Sequence, residues 1–212
     1  MERGDNTGAR KSLRNQMKKK QRVELIRTAS SETDPLSPFP SFRSLETKDE
    51  MRVEVVAGRG EKLSSSTKRF IMSLLKVNME QAFGDDWPFE EKVKRRDMVS
   101  PEARYLFLQH NLSDNAAHFV GFLHYRFTLE EDIPVLYVYE LQLQSDFHGK
   151  GLGSFLMQLA ELMARENGMA AIVLTVQKKN VAAVQFYTDK HKYIISSISP
   201  SRVDPAVRLL NG

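Results

Sequence analysis

The chain has 212 residues, no cysteine and a formal net charge of +4, a size that fits one α/β domain with an extension. The missing cysteines exclude a disulfide framework, thiolate metal sites and a cysteine nucleophile, and no apolar run approaches the ~18–20 residues of a membrane span. The first 30 residues carry +6 and the remainder −2, so the body offers no electrostatic footprint for nucleic acid.

The basic start has no signal-peptide core, and Glu2 follows Met1, so neither a secretory leader nor myristoylation is expected. Leu13, Met17, Val23 and Ile26 give a thin apolar stripe, which predicts a tail turning helical from about Lys11. Its Lys18-Lys19-Lys20 run is either a solvated face, a nuclear import signal or a contact for a nucleosome or RNA. Residues 31–50 hold Pro35, Pro38 and Pro40 among serines and read as a linker whose Phe39 and Phe42 can dock on the body. The expected division is an extension over 1–50 and one domain over 51–212.

Residues 52–57 alternate like a strand. Phe70, Leu74, Val77, Met79 and Ala82 predict a helix over 67–83, capped by Ser66 or Thr67. Asp86-Trp87-Pro88 breaks it, and 90–98 follows as a short charged helix. Residues 104–110, 117–129 and 135–144 read as successive antiparallel strands, with turns at 111–115 and 130–134. Beyond the glycines at 149–153, Phe155, Leu156, Leu159, Ala160 and Met163 mark a helix over 154–167. A buried strand over 170–176, a helix over 180–190 and a strand over 193–198 follow. Pro200 and Pro205 flank a turn before a candidate last strand over 206–210. This order predicts an α/β fold in which one mixed sheet carries helices on both faces.

The segment from Tyr137 to Phe155 holds the most chemistry: a strand, the loop Gly149-Lys150-Gly151-Leu152-Gly153, then an amphipathic helix. Glycines there let backbone N–H groups approach a phosphate at a helix N-terminus, although an ordinary strand–helix turn looks the same. The Lys precedes the last glycines, which fails the Walker A pattern, and the antiparallel strands fail the dinucleotide pattern. Tyr137 and Tyr139 can be ordinary strand aromatics, and Glu140 an edge-facing surface acid. A carboxylate inside so apolar a strand is nonetheless costly unless used or paired. His110, His118, His124, His148 and His191 show no metal spacing, and no metal is expected.

His148-x-x-Gly151-x-Gly153 resembles the acyl-CoA loop of the GNAT superfamily of N-acetyltransferases, with His148 at a position usually Arg or Gln. The run from Val135 to Gln144, Leu174-Thr175-Val176, Asn180 with Gln185-Phe186, Ser199-Pro200-Ser201, and Asn78-Met79 with Trp87 are similar to the N-alpha-acetyltransferase D (NatD) enzymes. The likeness spans roughly residues 67–201. It implies a GNAT fold and acetyl transfer from acetyl-CoA to the N-terminal serine of histone 4 and histone 2A by direct attack in a ternary complex. It also implies a nuclear and cytoplasmic location and a monomer, with any nucleic-acid or ribosome contact through the basic tail. The alternatives are a GNAT enzyme acting on lysine side chains or small amines, or a non-catalytic module that binds acyl-CoA or a histone tail.

By that resemblance, Leu141, Gln142 and Leu143 would pair with the pantetheine arm. Gly149, Lys150, Gly151, Leu152, Gly153 and Ser154 would hold the pyrophosphate, and Asn180 would touch the CoA. Glu140, Tyr137 and Tyr139 would face the amine, while Tyr187 would protonate the departing thiolate or serve only as packing. Phe83, Trp87, Thr128, Leu129, Glu130, Tyr139 and Thr175 would line the peptide groove. Phe83 stands where the family has Tyr and Thr128 where it has Asp, so each removes a polar contact to the peptide.

Two physical expectations accompany this. A partly buried Glu beside aromatics can accept the proton of an α-amine. Strict alternation also places Glu140 opposite Tyr137 and Tyr139, so a β-bulge or splay between residues 138 and 143 is needed to free the Leu141–Leu143 donors and re-aim Glu140.

Overall fold

The computed structural model describes residues 6–111, 117–177, 180–191, 194–195 and 203–209. Among the described residues, eight strands form one mixed sheet, ordered β1 (Ser44–Glu46), β2 (Arg52–Arg59), β3 (Arg104–Asn111), β4 (Ala117–Glu130), β5 (Ile133–Leu143), β6 (Ala171–Gln177), β8 (Val203–Leu209) and β7 (Ile194–Ile195). Only the β5–β6 pair is parallel among the described ladders. The chain between them forms α4 (Leu152–Glu166), as a parallel connection requires a crossover.

Helices cover both faces, as the order of elements predicted. Leu152, Leu156, Leu159, Ala160 and Met163 of α4 are buried against Leu106, Leu123, Leu136 and Val138. The long helix α1 (Asn6–Ser31) joins that core through Leu25, Ile26 and Ala29, while Lys18, Lys19 and Lys20 stay exposed. On the other face, α2 (Ser65–Phe83) and α3 (Trp87–Met98) pack Ile71, Leu75 and Met98 on Tyr105, Phe107 and Phe122. No helix among the described residues is long and apolar enough to cross a membrane.

Several boundaries differ from the sequence reading for local reasons. Ser64, not Ser66 or Thr67, caps α2 by accepting from the Thr67 N–H at 3.1 Å. The break after α2 lies where expected, but the helix beyond it starts at Trp87 rather than at residue 90, with Pro88 in its first turn, where no N–H is needed. The stretch taken as linker contributes β1, buried Leu36 and a stack of Phe42 on Phe155 at 5.2 Å. A boundary at residue 50 therefore cuts through the sheet. Pro205 lies within β8 opposite Thr175, past the two residues paired to β7, rather than at a turn. Pro200 and the Ser199–Ser201 run lie outside the described residues, as do most of the 111–115 turn and Leu210.

Candidate active site

The centre of the site is a defect in β5. His124 pairs with Glu140 and Tyr125 with Val138, so Tyr139 has no counterpart on β4. This is a β-bulge within the expected stretch, and it puts two consecutive side chains on one face. Tyr137, Tyr139 and Glu140 all line the same cavity under α3, while Leu136, Val138, Leu141 and Leu143 pack on the opposite core.

The bulge also ends the contact with β6, whose ladder to β5 stops at Val138–Leu174. The Gln144 N–H donates to Val120 O at 2.9 Å. Strand alternation therefore turns the N–H and C=O of Leu141 and Leu143 the other way, into the gap left by β6. Leu143 O indeed accepts from Asn78 Nδ2 and His148 Nε2, both at 3.0 Å.

That gap opens into a cleft of about 500 Å³ walled by Leu141, Leu143, Phe147, Gly151, Asn180 and Phe186. At its floor, Gly149 (φ 73°) and Gly151 (φ 83°) take left-handed backbone, and nothing lies within 4 Å of where a Cβ would sit on either. Gly151 caps α4 directly, so the loop's amides and the helix N-terminus face open space. Backbone donors, an apolar wall and an open glycine cradle together fit a pantetheine arm carrying a pyrophosphate. Gln142, Gly153 and Ser154 border the same cleft. Leu152 is fully buried in the first turn of α4. Lys150 departs from expectation: its Nζ lies 2.6 Å from Asp49 Oδ2, away from the cleft walls. Asn180 lines the cleft while its Oδ1 caps α5 (Val181–Gln185) by accepting from Ala183 N–H at 3.1 Å.

Two smaller cavities meet at Tyr139 and Glu140. One of about 140 Å³ is closed by Lys94, Asp97, His124, Tyr137 and Thr175. The other, about 190 Å³, runs from Phe83 and Lys94 past Glu140 to Tyr187 and Asn180, sharing walls with the cleft. Tyr187 sits in the π-turn Phe186–Lys190 that follows α5. Burial pushes its phenol well above the ordinary tyrosine range, so it holds its proton at neutral pH. Burial also raises Tyr137, with a hydrogen bond to Thr175 opposing, and raises Tyr139, with Arg126 opposing.

Glu140 is held on both oxygens. Lys94 Nζ lies 2.5 Å from Oε1, and Gln142 Nε2 donates to Oε2 at 3.0 Å. Arg126 lies 4.2 Å over the Tyr139 ring, and His124 stacks between Tyr105 and Tyr139 at 4.7 and 4.9 Å. Lys94, Arg126, His124 and Asn78 were not anticipated as site residues. Each reaches the site only through tertiary packing, and no local pattern marks them.

The residues expected to line a peptide groove divide. Phe83 and Thr175 border the cavities. Trp87 instead is buried between α2 and α3, 6.0 Å from Phe83. Thr128 and Glu130 end β4 on the site's face, and the Glu130 charge is felt at Tyr137 and Tyr139. Leu129 falls on the opposite face, with Tyr125 and Phe127, because alternation along β4 is unbroken there. Among the described residues, no group of three His, Cys, Asp or Glu is placed to hold a metal ion.

The sequence profile of the acetyltransferase (GNAT) family matches residues 70–193. Among solved structures, an acetyltransferase from Streptococcus agalactiae aligns with a TM-score of 0.56 at 12% identity, covering 73% of this chain and 98% of that one. The PaiA N-acetyltransferase of Thermoplasma acidophilum, in complex with coenzyme A, gives 0.55 at 14% identity, covering 74% and 98%. An acetyltransferase from Thermus thermophilus gives 0.54 at 18% identity, covering 73% and 96%. At these identities the likeness concerns the fold.

Proposed function

Because the chain belongs to the acetyltransferase (GNAT) family, we propose that it transfers acetyl from acetyl-CoA to a protein N-terminal α-amine, in the manner of NatD. The proposed acceptor is the N-terminal serine of histone 4 and histone 2A. The observation that carries an amine-directed reaction is the Tyr139 bulge, which turns a carboxylate and two phenols toward one cavity beside the glycine cradle. The choice of histone tails rests on the sequence likeness to NatD. The acidic stretch at the α2–α3 junction, with Glu90 on the cavity wall, supports a basic, Arg/Lys-rich tail as partner.

Acetyl-CoA, when bound, supplies an activated thioester carbonyl. Glu140 takes the proton that makes the α-amine nucleophilic, and Tyr137 and Tyr139 wall the amine's approach. Leu141 and Leu143 hold the arm in line through the backbone N–H groups that β6 does not pair. The amides of 149–154 hold the pyrophosphate, and Tyr187 has a proton available for the departing thiolate. The chain is proposed to act as a monomer in nucleus and cytoplasm, with the exposed basic face of α1 as any nucleic-acid or ribosome contact.

A second reading, acetylation of lysine side chains, is favoured by one observation: a lysine ammonium already lies against Glu140. Mass spectrometry on a histone 4 N-terminal peptide, beside the same peptide with its α-amine blocked, tests both. Acetylation of only the free α-amine is expected. Equal acetylation of the blocked peptide on lysine selects the second reading, and no transfer to either rejects an enzymatic role on this substrate.

A further inference from the structure

The neighbour of Glu140 is the chain's own Lys94. Its side chain is 16% exposed, that of Glu140 11%. It descends from α3, passes its ammonium 5.4 Å from the Phe83 ring centre, and ends 2.5 Å from Glu140 Oε1. The cavity it enters is also bordered by Leu141, Asn180 and Tyr187, the residues next to the cleft. A primary amine thus already occupies the place required of an acceptor, beside the group assigned as base and in the space adjoining the donor's arm.

We propose that Lys94 is an internal acceptor: in the absence of peptide its ammonium fills the amine site, and it is acetylated on Nζ in cis. The proposal rests on the acetyl-CoA chemistry assigned above. Glu140 removes a proton from the Nζ ammonium, and the freed lone pair forms a C–N bond to the acetyl carbonyl carbon. The C–S bond breaks and the sulfur leaves as CoA thiolate, which takes up a proton. The balance is lysine ammonium plus acetyl-CoA giving acetyl-lysine, CoA and one proton. The product has lost its charge, so the ion pair with Glu140 is gone and an amide sits where the peptide's amine must enter. Modification in cis is therefore self-limiting for the peptide reaction, and bound peptide protects against it.

The experiment uses the full chain, freshly prepared and shown unmodified by intact mass. Incubation with acetyl-CoA alone, followed by tandem mass spectrometry, is expected to place one acetyl group on Lys94 ahead of the exposed Lys18–Lys20 run. Glu140→Gln slows that site and leaves the surface lysines unchanged, and saturating serine-first peptide suppresses it. A second readout needs no donor. If Lys94 stands in for the acceptor, Lys94→Met keeps an unbranched side chain of similar length and vacates the carboxylate, so peptide binding by calorimetry tightens about threefold, the scale of a weak ion pair. Lys94 left unmodified after incubation with acetyl-CoA alone, in a preparation that acetylates the peptide when peptide is then added, overturns the proposal and leaves the transferase reading intact. Lys94 acetylated no faster than the surface lysines, or unaffected by Glu140→Gln, also overturns it. Weaker peptide binding in Lys94→Met assigns Lys94 to holding α3 on β5 instead. Failure of both peptide and Lys94 to accept acetyl rejects the transferase reading and this proposal together.

Discussion

Asn78 on α2 and Gln142 on β5 meet at 2.9 Å, with Asn78 Nδ2 donating to Gln142 Oε1. The same Nδ2 also donates to Leu143 O, so the amide's nitrogen end faces the strand. Gln142 must then present its oxygen to α2, which leaves its Nε2 for Glu140. One side chain from α2 thereby orients both the carboxylate of the amine site and a carbonyl at the edge of the cleft.

Replacing that donor by an acceptor tests the link. Asn78→Asp sets a carboxylate against Gln142 Oε1 and Leu143 O, leaving part-buried groups unsatisfied at a cost of about 1–3 kcal/mol. Weaker acetyl-CoA binding together with a lower kcat is expected by calorimetry and steady-state kinetics. A change in stability alone would confine Asn78 to packing.

Glu140→Gln keeps shape and removes the base. A drop of ~10²–10⁴ in kcat is expected, with acetyl-CoA affinity near wild type. The deficit should shrink from about pH 6.5 to about pH 9.5, as the substrate α-amine (pKa about 8) deprotonates unaided. A raised peptide KM at every pH, with kcat intact, would reassign Glu140 to binding the ammonium.

Gly151→Asp adds a Cβ to a residue at φ 83° and a negative charge to the cradle. Acetyl-CoA binding should weaken by about 1–3 kcal/mol in calorimetry. Gly168→Asp, at φ 69° beyond the far end of α4, imposes comparable backbone strain away from the cleft. It should lower thermal stability and leave acetyl-CoA affinity unchanged. Equal loss of affinity in both variants would remove the phosphate role of the loop.

His124 makes stability pH-dependent. Burial, reinforced by the Arg126 and Lys94 charges, pushes its pKa from 6.5 down to about 3. Above about pH 6.5 the imidazole is neutral folded or unfolded and adds no slope. Below that, the unfolded chain binds a proton that the folded chain refuses until about pH 3. Stability therefore falls as pH drops, by at most about 1.4 kcal/mol per pH unit for one proton. His124→Phe keeps the stack with Tyr105 and Tyr139 and removes Nε2, which is buried without a partner among the described residues. Urea titrations at about pH 7 and about pH 5 should show a smaller acid loss for the variant. Identical losses would assign the acid sensitivity to other groups.

Elements carried by local pattern were legible in the sequence. Leu156, Leu159, Ala160 and Met163 repeat at helical spacing and are buried as α4. The 130–134 turn is tight because Glu131 and Asp132 both take left-handed backbone between β4 and β5. The Tyr139 bulge was foreseeable from chemistry, since a regular strand would put Glu140 opposite the tyrosines. What stayed hidden is what only packing decides. Lys94 belongs to a helix so charged that it reads as solvated, and its inward direction exists only once α3 lies over β5. Trp87 is a groove residue by the family resemblance alone, and here α2 and α3 close over it.

Tyr139 makes fold and activity separable at a single position. With that residue skipped, β5 reads Tyr137, Val138, Glu140, Leu141, Gln142, Leu143 in unbroken alternation, with Val138, Leu141 and Leu143 all on the α1–α4 side. The hydrophobic code of the strand is thus complete without Tyr139, and the site is a one-residue insertion into a sheet that already knows how to pair. A chain lacking Tyr139 should keep its far-UV circular dichroism and unfold cooperatively. With no offset to part β5 from β6, it should also fail to bind acetyl-CoA.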